Sequence, residues 1–134
     1  MIAGTADTHT AIWYLFNDAR LSVAAGDFID NAAAAAGSQI AVSSISMAEI
    51  VYLIEKNRLS ANAYTDLKAA LDDPDHVFQE APFTVEIVDA MKQVPRAVVP
   101  DMPDRIVAAT AVYLDVPVVS RDGKINASNV QTIW

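Results

Sequence analysis

Short apolar segments rich in β-branched residues alternate along this chain with longer segments of helical periodicity. Strands are predicted over residues 2–6, 39–43, 77–81, 118–120 and 130–134. Such alternation is typical of a mostly parallel sheet with helices on both faces. A length of 134 residues suffices for one domain of this kind and leaves little room for a second. We therefore expect a single α/β domain over residues 1–134.

Capping and breaking residues delimit the predicted helices. Ser22 suits the N-cap of a helix that continues to residue 36, where Gly37 ends it. Asp101 suits the N-cap of a later helix, and Pro103 favours its first turn. Other helices are predicted from residue 8, from about residue 47, over 63–71 and over 84–93. The aromatic group of Trp13, Tyr14 and Phe16 is interpreted as core rather than as a surface for stacking bases.

Composition excludes several kinds of site. The chain has no cysteine, so it forms no disulfide, thiolate metal site or cysteine nucleophile. No apolar stretch approaches the roughly 20 residues that a membrane span requires. The N-terminus has neither the basic start nor the apolar run of a signal peptide. A reducing cytoplasm is therefore the expected compartment.

The net charge of −8, from 9 basic and 17 acidic residues, disfavours a simple electrostatic interaction with nucleic acid. The objection weakens if some of the acids bind cations, because bound cations would screen them. The same charge also fits a basic protein partner.

Four acidic residues lie where predicted strands meet predicted helices. They are Asp7, Glu49, Asp104 and Asp122. Because strand ends and helix starts meet at one edge of a parallel sheet, we expect the four carboxylates to converge there. Gathered carboxylates repel one another, and Mg²⁺ or Mn²⁺ would relieve that repulsion through oxygen ligands. A site with two such ions suits hydrolysis of a phosphodiester.

Three of the four acids also have purely structural explanations. Glu49 could complete a capping box with Ser46. Asp104 could interact only with a helix dipole, and Asp122 could belong to a turn before Gly123. Asp7 differs, because a carboxylate at the end of an apolar first strand is costly without a partner. The functional interpretation therefore depends on the joint placement of the four.

Other polar residues nearby have less certain roles. Thr8 and Ser46 either hold water at the site or cap helices, and capping is the simpler interpretation. Arg121 and Lys124 flank Asp122, where they either contact phosphates or are solvated. His9 lies near the proposed site, but no histidine pair suggests acid–base catalysis.

Four stretches carry a resemblance to a known family: ADTHTAIWYL (6–15), SSISMAEIVYLIEKNRL (43–59), PDMPDRIVAATAVYLDVPVVSRDGKI (100–125) and the terminal VQTIW. In order and spacing they resemble PIN-domain ribonucleases of the VapC toxin type. The combination of PDRIVAATA with a following strand and SRD is the most specific part. Residues 61–93 contain no motif that matches the family.

The resemblance implies a three-layer α/β/α PIN-like fold and Mg²⁺- or Mn²⁺-dependent endoribonuclease activity. It assigns the acidic site to Asp7, Glu49, Asp104 and Asp122, with Asp101 as an additional carboxylate. In such a site, in-line hydrolysis leaves a 5′-phosphate and a 3′-hydroxyl. The resemblance further implies a homodimer and a cognate antitoxin, which we expect to bring a basic residue towards the acids.

Alternative functions remain open on the sequence alone. A non-catalytic PIN-fold module that binds RNA or protein would retain the same architecture. A phosphatase of the haloacid dehalogenase type would require a second aspartate where His9 stands. A receiver domain would require an acidic pair near the first strand and a late lysine. The RNA target, the cleavage sequence and the number of metal ions are not defined by the sequence.

Overall fold

The computed structural model describes residues 1–134 and is organised around a five-stranded sheet. The strands are β1 (Ile2–Ala6), β2 (Gln39–Ser43), β3 (Phe78–Ala81), β4 (Val118–Val119) and β5 (Thr132–Ile133). Their order across the sheet is β3-β2-β1-β4-β5, and every neighbouring pair is parallel. The predicted parallel α/β architecture is therefore confirmed.

Seven α-helices connect and cover the strands. They are α1 (Thr8–Leu15), α2 (Val23–Ala34), α3 (Ser44–Glu55), α4 (Asn62–Asp72), α5 (Val85–Ala90), α6 (Met102–Leu114) and α7 (Gly123–Ala127). A 3₁₀ turn over Met91–Gln93 follows α5 directly. None of the helices combines the length and the apolar character needed to cross a bilayer.

The sheet separates two hydrophobic clusters, which gives the three-layer arrangement. One cluster contains Ile29 from α2 and Leu67 from α4, and the other contains Ile106 from α6. The neighbouring β4 residues Val118 and Val119 belong to different clusters, because successive side chains of a strand point to opposite faces. Both faces of the sheet are therefore covered.

The start of α3 differs from the sequence-based expectation. Ser43, at the end of β2, is the N-cap, and its hydroxyl accepts a hydrogen bond from the Ile45 amide at 3.2 Å. The predicted capping box is therefore wrong, because Ser46 is a fully buried residue inside the helix. Glu49 is the sixth residue of α3 and lies beyond its first turn. The expected capping role of Thr8 is also wrong, since Asp7 caps α1.

Several element ends also differ from the expectations. The helix predicted to reach residue 36 ends at Ala34, although Gly37 does adopt the left-handed conformation, with φ of 77°. The helix predicted over 84–93 is α-helical only to Ala90 and continues as the 3₁₀ turn. Helix α7 was not predicted, because its five residues are too few to display helical periodicity.

Candidate active site

The four predicted acids line one cavity of about 480 Å³ at the carboxyl edge of the sheet, and Asp101 lines it with them. Four segments place them there. Asp7 follows β1, Glu49 lies on the helix after β2, and Asp122 is the third residue after β4. Asp101 and Asp104 belong to the start of α6. We call this space the acidic cavity.

Asp7 lies at the centre of the edge, with both carboxylate oxygens engaged. One oxygen caps α1 by accepting the Thr10 amide at 2.9 Å. The other accepts the hydroxyl of Ser120 at 2.5 Å. Because both contacts come from rigid elements, the Asp7 carboxylate has a fixed orientation.

Ser120 links two of the acids and was missed by the sequence analysis. Its hydroxyl donates to Asp7 and accepts the backbone amide of Asp122 at 3.0 Å. Only 2% of Ser120 is exposed. The sequence signals were its place at the end of a predicted buried strand and in the SRD stretch of the resemblance, and neither indicated a role for its hydroxyl. Ser120 therefore couples the ends of β1 and β4.

Glu49 is oriented by two hydroxyl groups. The Thr8 hydroxyl lies 2.5 Å from a Glu49 carboxylate oxygen and 2.9 Å from the Ser46 hydroxyl. Thr8 has a single hydroxyl proton, so it donates to the carboxylate and accepts from Ser46. Thr8 and Ser46 are both buried. They form a short relay that fixes Glu49 on the wall of the cavity.

Asp122 is the N-cap of α7, since its carboxylate accepts the backbone amides of Lys124 at 2.7 Å and Ile125 at 3.4 Å. This arrangement replaces the isolated turn considered in the sequence analysis. One carboxylate oxygen is thereby committed to the helix, and the other remains for the cavity. Capping and a place in the site are therefore compatible here.

Asp104 carries the clearest electrostatic perturbation in the cavity. The pKa of its carboxyl is raised to about 8, chiefly by burial and also by the charges of Asp101, Asp122 and Glu49 and a hydrogen bond with Asp122. Asp101 also caps α6 by accepting the Asp104 amide at 3.3 Å. The carboxylates are thus gathered with too little positive charge, and a proton on Asp104 relieves the repulsion.

The donor set fits a hard divalent cation that retains part of its water. No group of three or more acidic or histidine side chains has its donor atoms close enough to hold an ion directly. Mg²⁺ commonly keeps several waters and takes only one or two carboxylates. Thr10, which also lines the cavity, is 1% exposed, and its hydroxyl has no hydrogen-bond partner. An unpaired buried hydroxyl at this position is consistent with a hydrated ligand.

Two arginines complete the lining of the acidic cavity. Arg121 was singled out from the sequence, whereas Arg20 was not, because it lies in a segment interpreted only as a break. Both guanidinium groups lie against the indole of Trp13. Trp13 is 5% exposed, which confirms its interpretation as a core residue, whereas the same interpretation is wrong for Phe16, which is 43% exposed just after the end of α1; Tyr14 is half-buried. Lys124 is exposed and does not line the cavity, whereas the exposed His9 does.

Three solved structures share this architecture over nearly the whole chain. VapBC2 from Rickettsia felis, bound to a DNA fragment from their promoter, is 15% identical with a TM-score of 0.69, and the match covers 98% of this chain and 97% of that chain. A toxin-antitoxin complex from Klebsiella pneumoniae is 20% identical with a TM-score of 0.64, and the match covers 98% of this chain and 97% of that chain. FitAcB from Neisseria gonorrhoeae is 21% identical with a TM-score of 0.61, and the match covers 98% of this chain and 96% of that chain. At these identities the likeness defines the fold.

The family assignment comes from the sequence itself. No curated protein matches the chain at a significant level. The model of the PIN domain matches residues 5–129, a range that includes all four predicted acids. The chain therefore belongs to the PIN domain family.

Proposed function

We propose that this protein is a Mg²⁺- or Mn²⁺-dependent endoribonuclease and the toxin of a toxin–antitoxin pair. The observation that carries the proposal is the convergence of Asp7, Glu49, Asp104 and Asp122 on one cavity. Membership in the PIN domain family supports a nuclease. The solved structures of similar fold include VapBC2 and a toxin-antitoxin complex, which supports a toxin.

The four acids would hold one or two divalent cations, directly or through water. Such a cation supplies Lewis acidity, which activates water and offsets the charge that develops on phosphate oxygens. Asp7 and Glu49 are held in place by hydroxyl groups, so they need no reorganisation to contribute oxygens. Asp104, whose pKa is raised to about 8, would give up its proton as positive charge enters the cavity.

RNA is the proposed substrate, cleaved in line to leave a 5′-phosphate and a 3′-hydroxyl. Arg20 and Arg121 line the cavity and are exposed, so a strand can approach them without rearrangement of the sheet. The net charge of −8 opposes the approach of a polyanion to the protein as a whole. Local cations at the cavity are therefore essential to the proposal.

The proposed partner is an antitoxin that places a basic side chain in the acidic cavity. Five carboxylates and two guanidinium groups line that space, so its charge is negative and an added cation is favoured. Such a side chain would occupy the position of the divalent cation and so block activity. A homodimer is proposed on the family resemblance alone.

The direct test is the sequencing of RNA 5′ ends in cells after induction of the wild type or of Asp7→Asn. Asparagine retains the helix-capping geometry and removes the charge, so the variant should fold but should not cleave. The control is Asp66→Asn, which changes an exposed acid of α4 outside the cavity. We expect cuts with the wild type and the control only. Cuts that persist in Asp7→Asn would refute the mechanism.

A non-catalytic PIN-fold module that binds RNA or protein is the alternative. Thermal melts with and without Mn²⁺ separate the two functions, because a cation that binds only the native state raises its stability by mass action. The nuclease proposal predicts a higher melting temperature with Mn²⁺ for the wild type and a smaller rise for Asp7→Asn. No rise in the wild type would favour the module.

A further inference from the structure

Trp13 brings two arginine side chains together at the mouth of the acidic cavity. The guanidinium carbon of Arg121 lies 4.7 Å from the centroid of the indole ring, and that of Arg20 lies 5.1 Å from it. At such distances the π-electrons of the ring attract the cation. The three residues come from α1, from the loop after it and from the segment after β4, so only the fold creates this arrangement. We call Arg20 and Arg121 the arginine pair.

The arginine pair supplies the only positive side chains of the cavity lining. The chain has nine lysine and arginine residues. Four of the others are engaged elsewhere: Lys68 with Asp72, Lys92 with Asp89, Lys56 with the ring of Tyr52, and Arg105 with two backbone carbonyls. The remaining three, Arg58, Arg96 and Lys124, do not line the cavity. A polyanion that reaches the acids would therefore find basic side chains in the cavity lining only at these two guanidinium groups.

Both guanidinium groups retain free hydrogen-bond donors. Arg20 uses its Nε and Nη2 to contact Asp18, at 3.0 and 2.7 Å, which leaves Nη1 free. Arg121 forms no salt bridge, so all its donors are available. A planar guanidinium group that is already oriented loses little entropy when it binds a phosphate.

We propose that the arginine pair binds backbone phosphates next to the scissile one and so positions an RNA strand across the four acids. This inference rests on the proposed function. Since both guanidinium carbons are close to one indole, they lie no more than roughly 10 Å apart, a span that neighbouring phosphates of one strand can bridge. Trp13 itself is buried and does not stack on a base. The contacts are therefore to the backbone and carry no sequence preference.

The test compares Arg20→Gln and Arg121→Gln with Arg58→Gln, which changes an exposed arginine beyond the end of α3. Cleavage of a short, mixed-sequence, fluorescein-labelled single-stranded RNA with Mn²⁺ gives KM and kcat. Binding of the same RNA is measured over a range of salt concentrations in an Asp7→Asn background, which prevents cleavage. A melting curve of each variant controls for folding.

Each arginine variant should raise KM about tenfold and change kcat less than about threefold. The slope of log affinity against log salt should fall by about 0.7 per lost phosphate contact. Arg121→Lys should restore the slope, because it keeps the charge, but it should restore the affinity only in part. Arg58→Gln should match the wild type.

Two results would overturn the proposal and distinguish it from failure of the proposed function. Wild-type cleavage with unchanged KM and salt slope in both arginine variants would remove the arginine pair from substrate binding. A fall in kcat and melting temperature with an unchanged salt slope would instead show that the arginine pair neutralises the acids of the cavity and does not bind RNA. If the wild type cleaves no RNA with Mn²⁺, the proposed function fails, and the inference fails with it.

Discussion

Ser120→Ala should weaken the protein at the point where two acids of the cavity are joined. The Ser120 hydroxyl donates to the Asp7 carboxylate at 2.5 Å and accepts the Asp122 amide at 3.0 Å. A hydrogen bond to a charged group contributes about 1.5–3 kcal/mol to stability, and a neutral one about 1 kcal/mol. Because Ser120 is 2% exposed, water does not readily replace these bonds. We expect a loss of about 3 kcal/mol in the free energy of unfolding.

Urea unfolding in the presence of EDTA measures this loss, with an unchanged m-value as evidence that the folded state is still compact. At this chain length, 3 kcal/mol corresponds to a fall in melting temperature of roughly 10 °C. Ser128→Ala is the matched control. Its hydroxyl donates to a backbone carbonyl in α7 and accepts the Val130 amide at 3.3 Å but contacts no acid of the cavity, so its loss should cost only about 2 kcal/mol.

A double-mutant cycle with Asp7→Asn identifies the origin of the effect. If Ser120 acts through the Asp7 carboxylate, the cost of the double variant should be less than the sum of the two single costs by about 1 kcal/mol or more. Strictly additive costs, or a loss for Ser120→Ala no larger than that for Ser128→Ala, would refute this reasoning.

Three further predictions follow from other contacts. Asp104→Asn should alter the pH dependence of stability, because the pKa of Asp104 is raised to about 8 in the native state. The stability that this raised pKa contributes is fully present below pH 3.8 and is lost as pH rises through 8, so the variant should melt at a higher temperature than the wild type above pH 8. Equal melting temperatures above pH 8 would contradict the raised pKa. Arg105→Met should lower the free energy of unfolding in urea by about 2 kcal/mol, because Arg105 donates to two backbone carbonyls of the segment before α6. An unchanged free energy would show that those two hydrogen bonds do not stabilise the fold. Gly4→Ala should cost about 1–3 kcal/mol in the same assay, because the added Cβ would lie 2.8 Å from the Phe28 ring, and full stability would indicate that the ring moves freely.

The sequence predicted the parallel sheet because buried parallel strands contain nearly continuous apolar runs, as in β2. It also placed Asp7, Asp104 and Asp122 near the carboxyl edge, since that placement needs only the order of strands and helices. The N-cap of α3 was misassigned for a local reason. Ser43 and Ser46 are both suitable caps, and only the length of β2 decides between them.

Contacts between distant segments were beyond the sequence analysis. Ser120 donates a hydrogen bond to Asp7, which is 113 residues away in sequence. Arg20 and Arg121 come near each other only because both lie against Trp13. Neither the spacing nor the residue types of these positions indicate such contacts. The raised pKa of Asp104 likewise depends on burial and on charges contributed by other segments.

The register of the sheet makes the two boundaries of β4, with β1 and with β5, narrower than the other two. β1 pairs with β2 over four residues, but with β4 over only two, Thr5 with Val118 and Ala6 with Val119. The narrow boundary between β1 and β4 runs directly beneath Asp7 and Asp122. Local opening there would separate the acids while the rest of the fold persists. Activity should therefore disappear at lower denaturant concentrations than global structure, and the backbone amide of Asp7, which bonds to the Val119 carbonyl, should exchange with solvent early.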